Sequence, residues 1–184
     1  PVLRLMVAFS QSPEALAWAR QLLVENWGPI AMESDLFDFD QTDYYRDEMG
    51  ANLKKVIWAF ELPADPGELA SWKQQSNSWE GNCQSPSGDK VERPLNLDPG
   101  YLSEAKLVLA TTKDRDHRIY LGQGIFAECT LYFHKRQWQP RDWTYPDFCS
   151  APYRAFLLDC RDYLRERSRQ ESVEEEQGER RGIH

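Results

Sequence analysis

The sequence predicts an α/β protein of the α+β type, with a ferredoxin-like β-α-β-β-α-β core, an added β-hairpin unit and a C-terminal helix. Two helix-start signals, at Ser12 and Asp65, each follow an apolar run with strand periodicity. Each helical segment is followed by another such run. Later in the chain, Gly122-Gln123-Gly124 separates two more apolar runs, which indicates a hairpin.

The first strand and helix are predicted from residues 3–9 and the segment that follows them. Ser12 is placed to cap the helix, Pro13 suits its first position, and Gly28 ends it. A second strand starts at residue 30. Its apolar residues change parity near Leu36, which predicts a bulge or bend there.

The second half of the core consists of a strand, a helix and a strand. Residues 53–62 alternate as a strand, and Asp65 then caps a helix that carries Leu69, Trp72 and Trp79 on one face. A fourth strand follows at residues 95–98. Asp98-Pro99-Gly100 predicts a turn directly after it, because Pro sets φ at a corner and Gly accepts a positive φ.

The elements after residue 100 form the elaboration. Residues 103–110 fit a helix or a strand equally well, whereas 119–121 and 125–133 are the two strands of the hairpin. Trp138, Trp143 and Tyr145 are expected to form a small core beneath the last loop. Residues 152–167 predict a terminal helix. The sequence therefore predicts one globular domain over residues 1–167 and a charged, disordered tail over 168–184.

Composition restricts the classes of function. The 184 residues carry a formal net charge of -8, which disfavours a duplex nucleic acid partner, since such proteins present a basic face. No apolar run approaches the roughly 20 residues that a membrane span needs. The four cysteines form no C-x-x-C pair, so free thiols in a reducing cytoplasm are expected rather than a zinc site. We therefore expect a cytoplasmic protein without membrane or duplex partners.

Most of the functional signal lies between Arg93 and Tyr132, where polar residues interrupt core-forming runs. Lys113, His117 and Arg118 place three potential cations within six residues at the mouth of the hairpin. Such side chains suit a phosphate or a carboxylate. A solvated turn is the alternative, because acidic residues stand among them.

Glu128 is the most informative single residue of this segment. On an ideal strand it shares a face with Phe126 and Thr130, and it needs either solvent or a cation as partner. Counting back from the turn places Leu121 opposite Ile125, Tyr120 opposite Phe126, Ile119 opposite Ala127 and Arg118 opposite Glu128. The sequence thus predicts an Arg118–Glu128 pair, which His117 joins only if the backbone is irregular.

Further candidates lie before the hairpin. Arg93, Asn96 and Thr112 are predicted to contact a ligand, and Asp98 to act as a general base. Asp98 and Glu128 alone are a weak signal for Mg²⁺, and no metal site is assigned. Tyr44 and Tyr45 follow the second strand and are predicted to line a pocket; alternatively, one of them packs and the other is exposed.

Several short strings together resemble one bacterial and archaeal family of uncharacterised proteins. They are Asp43-Tyr44-Tyr45, Asn96-Leu97-Asp98-Pro99-Gly100-Tyr101, Thr111-Thr112-Lys113-Asp114, His117-Arg118-Ile119-Tyr120-Leu121, Gly124-Ile125-Phe126-Ala127-Glu128 and Trp143-Thr144-Tyr145-Pro146-Asp147. The resemblance implies a domain of unknown function and no activity. Some members bear a loose GTP-binding label, but the Gly-Lys pair of a P-loop is absent from this sequence.

Two classes of function remain open. The first is an enzyme or binding protein for a small anionic, phosphorylated or nucleotide-like ligand. In that hypothesis Lys113 and Arg118 hold the anion with His117, while Glu128 or Asp98 acts as a general base. The second is a non-catalytic interaction module whose polar cluster is structural. Convergence on one concave pocket favours the first class, and dispersal or internal pairing beneath a flat surface favours the second.

Overall fold

The structure is a computed structural model that describes residues 2–39, 46–49, 52–83 and 93–181. Within these residues the predicted α+β class is confirmed: helices flank one antiparallel sheet, and a long helix is the last element described. The predicted positions of Tyr44 and Tyr45 lie outside the described residues.

The element order places one helix after the first strand and another after the fourth. The helices are α1 (Pro13–Trp27), α2 (Arg46–Met49), α3 (Leu69–Asn82) and α4 (Ala151–Arg181). The strands are β1 (Leu3–Ser10), β2 (Ile30–Glu33), β3 (Phe37–Asp38), β4 (Lys54–Phe60), β5 (Asn96–Leu102), β6 (Lys106–Thr111), β7 (Ile119–Gly122), β8 (Ile125–His134) and β9 (Gln137–Pro140). Short 3₁₀ turns lie at Pro66–Glu68 and Pro146–Cys149.

All nine of these strands belong to one sheet, whose main path runs β2-β4-β1-β5-β6-β8-β7. The short β3 pairs with β4, and β9 pairs with β8. In the β2-β4-β1-β5 half, α1 connects β1 to β2 and α3 connects β4 to β5. The β6-β8-β7 half contains the predicted hairpin, and the ambiguous segment 103–110 contributes the strand β6 rather than a helix.

A core lies on each face of the sheet. On one face, α1 and α3 pack against the strands through residues such as Leu23, Trp72 and Trp58. On the other face, α4 packs through Leu157 and Leu164. Strand alternation explains the division, because neighbouring residues of β1 contribute to different cores.

Local capping chemistry placed the first helix correctly. The Ser12 hydroxyl accepts a hydrogen bond from the Ala15 N–H at 3.1 Å, and Gly28 follows the last helical residue at a φ of 89°. Asp65 also caps as predicted, but its side chain caps the 3₁₀ turn that leads into α3.

The turn predicted at Asp98-Pro99-Gly100 is wrong, since these residues lie inside β5 and pair with β1. Pro99 lies where β5 has not yet begun to pair with β6, so its missing N–H costs no hydrogen bond on that side. Gly100 is required because a Cβ there would stand 2.3 Å from the Val108 carbonyl oxygen. Glycine at position 100 therefore allows β5 and β6 to approach each other closely, and it does not form a turn.

Strand β8 changes parity part-way along, whereas the sequence predicted one uninterrupted alternation. Ile125 and Ala127 pack with the core beneath α1 and α3, but Leu131 and Phe133 pack with the α4 core. A register shift in the β6–β8 pairing, which leaves Thr130 without an opposite residue, accounts for the change.

Helix α4 continues to Arg181, beyond the predicted end at 167. Up to residue 173, the last buried residue is Leu164, and the side chains of residues 169–173 are exposed. Glu, Gln and Arg are good helix formers, and extending an existing helix avoids the cost of nucleation. The division into a domain and a separable tail stays a prediction.

Candidate functional site

A cavity of about 330 Å³ lies where β5 and β6 separate. The two strands pair only from Gly100 and Leu109 toward the opposite end, so residues at the start of β5 face those at the end of β6 across a gap. Helix α3 forms another wall. We call this the main cavity; it is lined by Lys73, Asn77, Glu80, Arg93, Asn96, Asp98, Thr111, Thr112, Lys113, Arg118 and Tyr145.

Lys73 forms the base of the polar network in this cavity. Its ammonium donates to Asp98 Oδ1 at 2.9 Å and to the Leu97 carbonyl oxygen at 2.8 Å. Glu80 Oε1 lies 3.7 Å away. Because Lys73 is 4% exposed, these acceptors replace the water that a lysine ordinarily binds.

Arg93 and Asn96 extend the network toward the outside. Arg93 Nη2 lies 3.2 Å from Glu80 Oε2 and also donates to Asn96 Oδ1. The Asn96 amide in turn donates to Asp98 Oδ2 at 2.7 Å. Both oxygens of Asp98 therefore accept a hydrogen bond, one from a cation and one from an amide.

The two carboxyl groups around Lys73 have pKa values shifted in opposite directions. Burial acts to raise the pKa of Asp98, but the Lys73 ammonium, the hydrogen bonds from Lys73 and Asn96, and the Arg93 charge together lower it. Burial raises the pKa of Glu80, although Lys73 and Arg93 oppose the shift. Two carboxyl groups with divergent pKa values suit the roles of a base and an acid.

The rim of the main cavity is the segment that enters the hairpin. Arg118 donates through Nη1 to the Lys113 carbonyl oxygen at 2.8 Å, which closes this segment into a loop. The Lys113 N–H donates to the Thr111 hydroxyl at 3.2 Å. These bonds hold Thr112 and the Lys113 side chain at the edge of the cavity.

The predicted Arg118–Glu128 pair is present. Arg118 Nε and Nη2 lie 2.9 and 2.8 Å from Glu128 Oε2, and both side chains are 7% exposed. The predicted register holds at Ile119–Ala127 and Tyr120–Phe126, but Gly122 rather than Leu121 lies opposite Ile125. A bulge in β7 accounts for the difference.

His117 joins the pair through a local irregularity, as its position requires. The Arg118 N–H donates to the Arg115 carbonyl oxygen at 3.0 Å, so the chain turns immediately before β7. His117 Nε2 consequently lies 3.0 Å from Glu128 Oε2. Its ring stacks on Trp143 with centroids 4.7 Å apart and an interplanar angle of 12°.

A second, smaller cavity of about 60 Å³ adjoins the main one, and Asp98 and Tyr145 line both. We call it the annex. Its remaining wall is mostly apolar, with Lys55 and Glu128 as further charged residues: it is lined by Val7, Phe9, Phe39, Lys55, Leu109, Ala110, Glu128 and Phe148. Lys55 pairs with Asp147 and lies 3.6 Å from the Phe39 ring centroid. Burial lowers the pKa of Lys55, and the Asp147 carboxylate opposes that shift.

Most of the sequence-predicted residues meet around these cavities. The residues of that set that line the main cavity are Arg93, Asn96, Asp98, Thr112, Lys113 and Arg118. Glu128 lines the annex, and the His117 ring contacts the Glu128 carboxylate. Of the three aromatic residues expected to form a small core, Trp138 is buried within the α4 core, Trp143 stacks on His117, and Tyr145 is 45% exposed.

Sequence reasoning missed the α3 wall. Lys73, Asn77 and Glu80 follow one another at helical spacings of four and three, which places them on one face of α3. The spacing is present in the sequence, but by itself it does not predict a site, because polar residues on an amphipathic helix ordinarily face solvent.

Two further findings describe the molecule. Among the described residues, no group of three or more His, Cys, Asp or Glu side chains is arranged to hold a metal ion. None of the described helices is long and apolar enough to cross a membrane.

Comparison with known proteins places the chain in a family. Residues 1–163 match the family described as Domain of unknown function (DUF4416). The chain belongs to this family. No curated protein and no solved structure matched it. The match spans the sheet, both cavities and the start of α4, so the site residues lie within the family domain.

Proposed function

We propose that the main cavity binds a small anionic ligand, phosphorylated or nucleotide-like. The observation that carries the proposal is the convergence of four cationic side chains from three separate parts of the chain. Lys73 comes from α3, Arg93 precedes β5, and Lys113 and Arg118 come from the segment before β7.

The local charge of the cavity supports an anionic ligand. Among the described residues that line the cavity, four side chains are cationic and two, Glu80 and Asp98, are carboxylates, in a chain with a net charge of -8. Concave sites lined by cationic groups concentrate anionic ligands, which then compete with the internal partners of those cations. Asn77, Thr111 and Thr112 supply neutral hydrogen-bonding groups of the kind that bind phosphate oxygens.

The same geometry supports specific roles for the acidic residues. Asp98, whose pKa is lowered, is a candidate general base, and Glu80, whose pKa is raised, is a candidate acid. Glu128 keeps Arg118 in place and is a second candidate base. We interpret the β2-β4-β1-β5 half as a ferredoxin-like unit, a fold that serves enzymes and binding modules alike.

A structural interaction module is the competing function. Internal pairs such as Lys73–Asp98, Arg93–Glu80 and Arg118–Glu128 support it, because they satisfy the charges without a ligand. The concave arrangement favours ligand binding instead. Cys129, Cys149 and Cys160 form no disulfide within the described residues, which supports a reducing, cytoplasmic setting.

Calorimetric titration with inorganic phosphate and pyrophosphate tests the proposal. We expect saturable binding that weakens as the salt concentration rises, because screening reduces the attraction between charges. Lys113→Gln and Arg93→Gln should each weaken binding. Lys106→Gln, which removes an exposed positive charge outside the cavity, is the matched control. The absence of binding in the wild-type protein, or equal weakening by the control, would favour the interaction module.

A further inference from the structure

The annex restricts which anionic ligands the main cavity accepts. The two cavities share Asp98 and Tyr145, so the annex adjoins the place where an anionic group in the main cavity would lie. The annex measures about 60 Å³, whereas a cavity of roughly 10–15 Å³ on the same measure holds one water molecule. It therefore accommodates a short group of a few heavy atoms.

Glu128 presents an unused hydrogen-bond acceptor in this region. Its contacts with His117 and Arg118 all go to Oε2. Within the described part of the chain, Oε1 accepts no hydrogen bond, and it is not one of the fully enclosed atoms without a partner. Glu128 as a whole is only 5% exposed, so Oε1 is an accessible acceptor in a largely buried residue and is suited to a donor that the ligand supplies.

The charges around the annex define the nature of that donor. Each charged side chain of the wall already has a partner of opposite charge: Lys55 pairs with Asp147, Asp98 with Lys73, and Glu128 with Arg118. A charged group that entered the annex would lose its water without gaining an unpaired counter-charge. A neutral donor avoids that cost, and its carbon atoms can contact Phe39 and Phe148.

We propose that the ligand is a phosphate monoester of a short hydroxylated compound, whose hydroxyl group enters the annex and donates to Glu128 Oε1. This inference rests on the proposed anion site and adds the identity of the group beyond the anion. A charge-assisted hydrogen bond from the hydroxyl distinguishes such a ligand from its alkyl analogue.

A matched series of small phosphate esters tests the inference on the wild-type protein. Inorganic phosphate measures the affinity of the main cavity alone, and ethyl phosphate adds a two-carbon arm without a polar end group. 2-Hydroxyethyl phosphate, phosphoethanolamine and phosphoglycolate then place a hydroxyl, an ammonium or a carboxylate at the end of a short arm. We expect 2-hydroxyethyl phosphate to bind about tenfold more tightly than ethyl phosphate, the ratio that roughly 1.4 kcal/mol produces. The ammonium and carboxylate compounds should gain nothing over ethyl phosphate.

A pair of leucine variants tests whether the arm of the bound ester lies in the annex. Leu109→Phe narrows the annex beside Glu128 and should bring the ratio of hydroxyethyl to ethyl affinity close to one. Leu158→Phe makes the same change on α4, outside both cavities, and should keep the wild-type ratio.

The outcomes separate the two proposals. If phosphate binds but the hydroxyl gives no gain, or a charged arm binds best, the annex inference is overturned and the anion site stands. A wild-type hydroxyl preference that survives Leu109→Phe also overturns it. If neither phosphate nor any ester binds, the proposed function fails as well.

Discussion

The Lys73 ammonium lies 2.9 Å from Asp98 Oδ1 and joins helix α3 to strand β5 at the base of the main cavity. The Lys73 side chain is 5% exposed and that of Asp98 is 30% exposed. The same ammonium lies 3.7 Å from Glu80, so one cation separates two carboxylates. Removing it would leave those carboxylates facing each other with Arg93 as the nearest remaining cation.

Lys73→Met should therefore destabilise the fold by about 2–4 kcal/mol. Removing one partner of a buried pair costs about 3–5 kcal/mol, and solvent access at Asp98 reduces that cost. Urea denaturation measures the change in the free energy of unfolding. Lys106→Met, at an exposed position, is the matched control and should change stability by less than about 0.5 kcal/mol. Equal effects of the two changes would show that the Lys73 network carries no stability.

The lowered pKa of Asp98 predicts a specific loss of stability in acid. A carboxyl group with a lower pKa in the folded state stabilises the protein above its unfolded pKa of about 4. That contribution disappears as the pH falls from about 4 through the folded pKa. Asp98→Asn should be less stable than the wild type at pH 6 and lose less stability between pH 4 and pH 3.

Denaturant titrations at these pH values measure the effect. Asp35→Asn removes an exposed carboxylate elsewhere and should keep the wild-type pH dependence. Glu80 does not affect the comparison. Its raised pKa lowers the stability of the folded state as the pH rises above about 4, which is the opposite effect in a different pH range. If Asp98→Asn kept the full acid-induced loss, Asp98 would not be its source.

The sequence predicts this fold well where local chemistry and tertiary packing agree. Ser12 caps α1 because its hydroxyl meets a helical N–H whatever the rest of the chain does. Pro99 and Gly100 were misread because their meaning depends on where β6 lies, which no local pattern reveals. The predicted alternation of side chains along β8 is wrong for the same reason, since a bulge depends on the partner strand.

Half of the main cavity was predictable. Polar residues such as Asn96 and Arg118 interrupt apolar strands, and burying them requires a partner or a function. The α3 half was not predictable, because Lys73 and Glu80 look like solvent-facing helix residues until the helix is placed against β5. Charge patterns reveal a site only when the surrounding segment is recognisably buried.

The Arg118–Glu128 pair should show strong energetic coupling. Each single change, Arg118→Met or Glu128→Gln, weakens the contacts of the other residue, and both side chains are 7% exposed. The double variant avoids an unpaired buried charge, so it should be less destabilised than the sum of the single variants. A double-mutant cycle in urea should give a coupling energy of about 1–3 kcal/mol.

The corresponding cycle for the exposed Lys54–Asp38 pair should give less than about 1 kcal/mol. Similar values in the two cycles would contradict the central position of the Arg118–Glu128 pair.

Trp58 should be among the most costly residues to truncate. It is 1% exposed, packs in the core beneath α1 and α3, and donates from its indole to Glu33 at 2.9 Å. Trp58→Ala should destabilise the protein by roughly 3–5 kcal/mol in urea denaturation. Trp18→Ala removes an indole that is 37% exposed and should cost much less. A Trp58→Ala change below about 1 kcal/mol would contradict the packing of β4.

The end of α4 should be dispensable for folding, even though it is helical. Among the α4 residues up to 173, Leu164 is the last that is buried, and residues 169–173 have exposed side chains. A chain that ends at Arg167 keeps the hydrogen bond from its guanidinium to the Glu61 carbonyl oxygen. Since residues 169–173 are exposed and the sequence after them is almost entirely polar, this truncation should change the free energy of unfolding by less than about 1 kcal/mol. Circular dichroism should show a helical loss proportional to the residues removed, with unfolding still cooperative.

Leu164→Ala in the full chain is the contrasting variant and should cost about 2–5 kcal/mol. If the truncation cost as much as Leu164→Ala, the segment beyond Arg167 would belong to the folded domain.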